Sequence, residues 1–281
     1  MFSVRIAIAM TALAALVGCS TPIDQYKPKT GAESTTVSIS DEGLSFWKDV
    51  PVDDARIPNS NVFVSGAAKS FFLAGGVLVD NTSAGNARIS KQIPPEFGVA
   101  IAPILKQSMQ RSAEALKARL DISDIHAEAT ELHMKPLVRL NHVGSGRFNV
   151  IPQVKVEFLD ADNKRQFRTY LYDSRLTLPL AGDSPNWTAN NLQLYRQYLS
   201  TAYDALAKTV LLDQQGAFRS RLMATEPTVV GQTQDGLSTI KQVLVGEFDK
   251  VRVTHPMVAS AKNAYFFRVE DLRSPAELLE H

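Results

Sequence analysis

Five histidines, at positions 126, 133, 142, 255 and 281, are the side chains of this sequence whose chemistry suits proton transfer or metal ligation near neutral pH. His126 and His133 lie seven apart, which puts them on opposite faces of a regular strand. A bulge between them would realign the pair, and Glu128 or Glu131 would then complete a metal site. Ordinary exposed strand histidines are the reading we prefer. Gly144-Ser145-Gly146 lacks the strand-to-helix elbow that activates a serine, so it reads as a turn. The acidic pairs Asp53-Asp54 and Glu270-Asp271 sit in unpatterned segments and read as solvated charge. Tyr170, Tyr172, Tyr195 and Tyr198 would line a ligand pocket between sheet and helices, although buried tyrosines are more often core residues with a bonded hydroxyl. No H-E-x-x-H, G-x-S-x-G, Walker A or G-x-G-x-x-G arrangement occurs. No residue set reads as catalytic, no cofactor or metal is expected, and the chain is not expected to be an enzyme.

The remaining reactive group is Cys19, the single cysteine. It follows a short segment, Met1 to Arg5, with one positive charge, and a charge-free apolar stretch, Ile6 to Val17. That stretch is too short for the roughly 20 residues of a membrane-spanning helix and reads as the core of an export signal. A buried helical thiol is the alternative. Leu16-Val17-Gly18-Cys19 resembles the lipobox of bacterial lipoproteins. The resemblance implies that residues 1–18 are a signal peptide cut before Cys19, that the sulfur carries a diacylglycerol, and that the new amino terminus is acylated. Three acyl chains, at roughly 0.8 kcal/mol per buried methylene, would anchor the chain to a bilayer without inserting it through one. Ser20 in place of Asp after the cysteine implies sorting to the outer membrane of a two-membrane host.

Composition narrows the partners. The chain has 30 basic and 29 acidic residues, a balance that argues against a protein whose main task is gripping nucleic acid through phosphates. One cysteine excludes a disulfide scaffold, and 44% hydrophobic with 21% charged residues describes an ordinary globular protein. The expected partners are membrane lipid through acylated Cys19 and an envelope protein or cell-wall component. The second would dock on an exposed sheet face, a strand edge or the aromatic loop at Trp187.

Residues 19–43 are polar and read as a lipidated tether, with a short edge strand through Val37 and Ile39 as the alternative. The globular part is expected over 44–223, starting near Leu44-Ser45-Phe46-Trp47. Val62-Phe63-Val64 reads as a strand. Phe71 to Val79, which contains Gly75-Gly76, reads as a buried strand with a bulge. The sharper alternative for that run is a membrane-touching or partner-inserting hairpin, as in pore-forming envelope lipoproteins. Asn81 to Ser90 reads as a loop. A helix is predicted after Pro94-Pro95-Glu96, with Phe97, Ile101, Leu105, Met109, Ala113, Leu116 and Leu120 on one face and Pro103 at a kink or the true first turn. Alternation over 125–140, 148–158 and 170–180 predicts a three-strand meander, with Val143 to Arg147 as a hairpin loop. A second helix is predicted over 190–223, weakened by Gly216 in its later half.

This order predicts an α+β two-layer sandwich, a mainly antiparallel sheet of about four strands carrying two amphipathic helices. Residues 224–281 read as a C-terminal extension with weak strands at 242–248 and 265–269. The lipobox and this element order resemble the small α/β lipoproteins that accompany outer-membrane assembly and trans-envelope transport, lipopolysaccharide-assembly lipoproteins among them. The resemblance implies a membrane-anchored envelope lipoprotein with a non-catalytic structural, assembly or transport accessory role. The alternative is a periplasmic-side ligand carrier or hydrolase with its pocket between sheet and helices.

Overall fold

The computed structural model describes residues 35–40, 54–66, 71–74, 77–80, 82–123, 132–159, 162–163, 165–222, 224, 227–235, 238–257 and 266–280. In chain order these form β1 (Thr35–Ile39), β2 (Ala55–Arg56), β3 (Val62–Ser65), β4 (Phe71–Ala74), β5 (Val77–Asp80), α1 (Thr82–Ser90), a 3-10 turn (Pro95–Phe97) and α2 (Ala102–Leu116). There follow β6 (Leu120–Ser123), β7 (Leu132–Gly144), β8 (Arg147–Leu159), β9 (Arg165–Asp173), β10 (Thr177–Pro179), α3 (Ala189–Gln214) and α4 (Arg219–Leu222). The chain closes with β11 (Val229–Asp235), β12 (Ser238–Phe248), β13 (Val251–Met257), β14 (Phe266–Asp271) and α5 (Pro275–Leu279).

The long hairpin β7–β8 organises the sheet, and its turn is the Gly144-Ser145-Gly146 triplet, all three residues at positive φ. Each long strand changes partner along its outer side, and a proline marks each change. β7 pairs in parallel with β1 over Leu132–Met134 and with β3 over Val138–Asn141. Pro136 falls in the gap. Val138 N donates outward to Asn61 O, so the even-numbered amides of β7 point away from β8, and the donor that Pro136 lacks is one the sheet does not need. β8 pairs with β10 over Arg147–Asn149 and with β9 over Gln153–Leu159. Pro152 stands opposite Val138 in register, so its missing donor likewise faces the gap between two partners.

Outward from this hairpin the order is β11-β12-β13-β14-β9-β8-β7-β1-β6, with β2, β3 and β10 attached off that path. Twelve strands therefore make one mixed sheet, with parallel pairs at β1–β6, β1–β7, β3–β7 and β9–β14. The expected sandwich of about four strands and two helices is overturned: five α-helices occur among the described residues. The meander and the two long helices are present. What the expectation lacked is the set of short strands joined by long-range parallel pairing, which leaves no local period. Val37 and Ile39 lie in β1, an interior strand between β6 and β7. Residues 229–271, read as an extension, supply four strands of the same sheet.

Two further local readings change. Residues 82–90 form a helix where a loop was expected; α1 packs on β2 and β3 and buries Asn86, so tertiary contact overrides weak propensity. Phe71 to Val79 is not one core strand but two strands that pair with each other. Pro103 marks the first turn of α2, where no amide donor is needed. Gly216, at φ 77, follows the end of α3, and its amide and that of Ala217 bond back to the last turn. The core lies between the sheet and the packed pair α2–α3.

Candidate functional site

Alternation in β9 sends Arg168, Tyr170 and Tyr172 to the helix side of the sheet, and α3 meets them with Tyr195, Tyr198, Tyr203 and Asp213 on its buried stripe. Each hydroxyl has a partner. Tyr195 Oη donates to Phe97 O at 3.3 Å, Tyr198 Oη to Val150 O at 2.8 Å, and Tyr203 Oη to Leu137 O at 2.8 Å. Tyr170 donates to Asp213 and Tyr172 to Asp271. Burial pushes the hydroxyls of Tyr172, Tyr195 and Tyr198 well above their ordinary pKa. None of the four tyrosines singled out from the sequence is more than 4% exposed. They are core residues with bonded hydroxyls, the preferred reading, and their own rings occupy the space of the alternative pocket. Trp187 is also core: its Nε1 donates to Phe148 O at 3.0 Å and its ring stands edge-on to Tyr198, 5.2 Å between centroids. It offers nothing to a docking partner.

Deeper in the same layer, Arg168 donates to Asp213, and both are almost wholly buried. The guanidinium lies 5.7 Å from the Phe158 ring centre and 5.2 Å from that of Phe267, so aromatic faces take the place of water around the cation. Sequence reading missed this pair. The signal was present, since Arg168 is in phase with Tyr170 and Tyr172, and Asp213 continues the stripe Leu206–Val210.

The carboxyl ends of β9 and β14 carry a second set of charges. Glu270-Asp271 is not solvated charge as expected. Asp271 is buried, accepts from Tyr172, and accepts from Arg273 Nε at 3.0 Å. Burial alone would raise its pKa, but the hydrogen bonds from Arg273 and Tyr172 outweigh it and hold the carboxyl below the ordinary value. Glu270 meets Arg175 at 3.3 Å and Arg268 at 3.4 Å, and Arg268 also pairs with Asp173. Asp54 is likewise enclosed, 3.0 Å from Arg139 Nε. Asp53 lies outside the described residues.

A cleft of about 320 Å³ opens between α2, α3 and the β12–β13 turn, with Arg111, Asp204, Lys208, Asp249 and Arg273 on its walls. Arg111 Nη2 is 2.7 Å from Asp204, and Lys208 pairs with Asp249 while lying 5.2 Å from the centre of the Phe248 ring. Each of these cations is matched by a carboxylate, so the cleft presents a mixed-charge rim above small residues such as Ala115 and Ala205. A smaller cleft of about 180 Å³ is lined by Arg56, Asn59, Ser60, Asn61 and residues 98–100.

His133 meets Ser38 Oγ at 2.9 Å through Nδ1, His142 lies against Phe148, and His255 is buried beside Phe267. Among the described residues no three His, Cys, Asp or Glu side chains are placed to hold a metal. Ser145 sits at the tip of the β7–β8 turn. Cys19, His126, Glu128, Glu131 and His281 lie outside the described residues, as does the lipobox. Among the described residues no helix is long and apolar enough to cross a membrane.

No protein-family model matches the chain, and no curated protein matches it. Among solved structures it is similar to the crystal structure of a candidate lipoprotein from Caulobacter crescentus CB15, at 18% identity and a TM-score of 0.22. The match covers 41% of this chain and 80% of that one. A likeness of that size carries no argument about the fold or the site.

Proposed function

We propose that this chain is a cell-envelope lipoprotein, attached to the outer membrane through acylated Cys19, with a non-catalytic structural, assembly or transport accessory role. The observation that carries the reading is the lipobox itself: the only cysteine of 281 residues stands directly after Leu16-Val17-Gly18, at the end of a charge-free apolar run behind a short basic segment. The packed tyrosine layer favours the accessory role over the carrier or hydrolase, because the interior space those readings need is taken up by side chains whose hydroxyls are already bonded. The charged cleft between α2, α3 and the β12–β13 turn is the surface we assign to a protein or cell-wall partner. Purification from envelopes solubilised in mild detergent tests the role. A stoichiometric envelope protein or cell-wall fragment that is lost with Arg111→Ala and Lys208→Ala supports it, and recovery of the chain alone contradicts it.

A further inference from the structure

The smaller cleft has two walls. The β2–β3 turn contributes Arg56, Asn59, Ser60 and Asn61, and Gly98 to Ala100, between the 3-10 turn and α2, form the other side. Its charge balance differs from that of the larger cleft. Among the described lining residues Arg56 is the only ionic one, and no described carboxylate pairs with it. Asp54, two positions earlier, is held 3.0 Å from Arg139 Nε instead. Arg56 is nonetheless fixed in place: its Nε donates to Ser60 O at 2.6 Å across the turn, which leaves both Nη groups without an acceptor among the described residues. The amides of Val99 and Ala100 and the Asn59 carboxamide likewise make no hydrogen bond among the described residues. Ser60 is already satisfied, its Oγ donating to Ile57 O at 2.9 Å and accepting from Val62 N at 3.2 Å. A Cβ at Gly98 would lie 2.9 Å from Ser60 Cβ, so the walls stand this close only because residue 98 has no side chain.

We propose that this cleft binds a phosphoryl group, held by the Arg56 guanidinium and the Asn59 carboxamide on one wall and by the Val99 and Ala100 amides on the other. The described walls carry donors and a positive charge with no acid to neutralise them, so the fitting ligand brings negative charge and acceptors to both sides at once. A planar carboxylate turns both oxygens to the guanidinium fork and leaves its carbon substituent facing the opposite wall. A tetrahedral phosphate has oxygens for each wall. The volume, about 180 Å³, lies below the roughly 300–1,000 Å³ of small-molecule pockets, so one such group enters while the rest of its molecule stays outside. Arg56 is exposed, so the group reaches it directly from solvent. A soluble phosphate ester and the phosphodiester of a membrane lipid share this chemistry. Nothing in the site depends on acylation of Cys19 or on the partner of the larger cleft.

The test titrates the full mature chain with Cys19→Ala at constant ionic strength, with inorganic phosphate and separately with acetate, while NMR follows the amide resonances of Val99 and Ala100. Phosphate shifts both saturably and acetate shifts neither. Arg56→Met weakens phosphate binding on the order of tenfold or more, as loss of hydrogen bonds to a charged group implies. Gly98→Ala keeps every donor but forces the walls apart, and weakens binding as well. The exposed Lys241→Met, with the same change of charge, leaves it unaltered. Phosphatidylglycerol vesicles then separate the sources. Sedimentation with them that is lost in Arg56→Met assigns the lipid phosphodiester, and phosphate binding without it assigns a soluble ester. Unmoved resonances at 99 and 100 in a chain with native circular dichroism overturn the inference. So do equal shifts with acetate, or an equal loss of binding in Lys241→Met, which would mark general attraction of anions.

Discussion

Asp213 of α3 accepts hydrogen bonds from both Arg168 and Tyr170 of β9, joining the longest helix to the sheet through an ion pair almost free of solvent. Asp213 lies in the last turn of its helix, where the backbone dipole disfavours an anion, so the Arg168 cation offsets helix and burial costs together. Removing one partner leaves the other charge buried and unmatched. Asp213→Ala therefore lowers unfolding free energy by about 3–5 kcal/mol in denaturant titration. Arg168→Met with Tyr170→Phe and Asp213→Leu, which removes every charge and donor at once, restores most of that loss. A loss below about 1 kcal/mol for Asp213→Ala would mean that the pair is not buried.

Alkali tests the tyrosine layer. Tyr172, Tyr195 and Tyr198 have folded pKa values raised above the ordinary 10, chiefly by burial. The neutral form is the one the fold favours, so their contribution is fully present below pH 10 and is lost as pH rises past it. Spectrophotometric titration shows these three staying protonated until the chain unfolds, then ionising together. Smooth native titration of all seven tyrosines near pH 10 would contradict the packing.

At the other extreme of pH, α5 is the sensitive element. Glu277 is held down to about 2 from 4.5, first by Lys250 and then by Ser274, with which it forms a capping box. Asp271, just before the helix, is lowered as well. A depressed carboxyl contributes stability that is present above its unfolded pKa and lost as pH falls through the folded one. Protection factors of the 275–279 amides, with the intrinsic pH dependence of exchange removed, fall between pH 4.5 and about 2, before the sheet opens. Lys250→Met moves that onset to higher pH, and an unchanged onset would show that Lys250 does not hold Glu277.

Backbone geometry makes the sharpest mutational contrast. Gly66 has φ 83, and a Cβ there would lie 2.4 Å from Asn141 Oδ1 and 2.5 Å from the His142 carbonyl oxygen. Gly66→Ala costs about 2 kcal/mol or more, because the carbonyl belongs to β7 and has no room to retreat. Asn191, exposed at φ 55 where α3 begins, gives the opposite sign: Asn191→Gly stabilises by about 0.5–1 kcal/mol. Equal melting temperatures for the two variants would refute both geometries.

The elements legible in the sequence were those with a local period. The β7–β8–β9 meander, α2 and most of α3 were visible, because Phe148 to Phe158 alternates and Leu192 to Val210 recurs every three or four residues; the helix read through Gly216 to 223 instead ends at Gln214. β1 and β6 have four or five residues each and gain their place from parallel partners about 85 to 95 positions away, which no window can register. Pro136 and Pro152 would argue against central strands, yet each stands where its strand has no outer partner. Arg168 and Asp213 were passed over, each a single charge on an apolar stripe. Only the fold shows that the two stripes face each other.

The central claim rests on Cys19, and intact mass with membrane fractionation of the wild type against Cys19→Ala in a two-membrane bacterium tests it most directly. The account predicts a wild-type chain without residues 1–18, carrying the mass of acyl groups and sedimenting with the outer membrane, while Cys19→Ala has neither added mass nor that location. An unmodified Cys19 in a wild-type chain recovered free of membranes would contradict it.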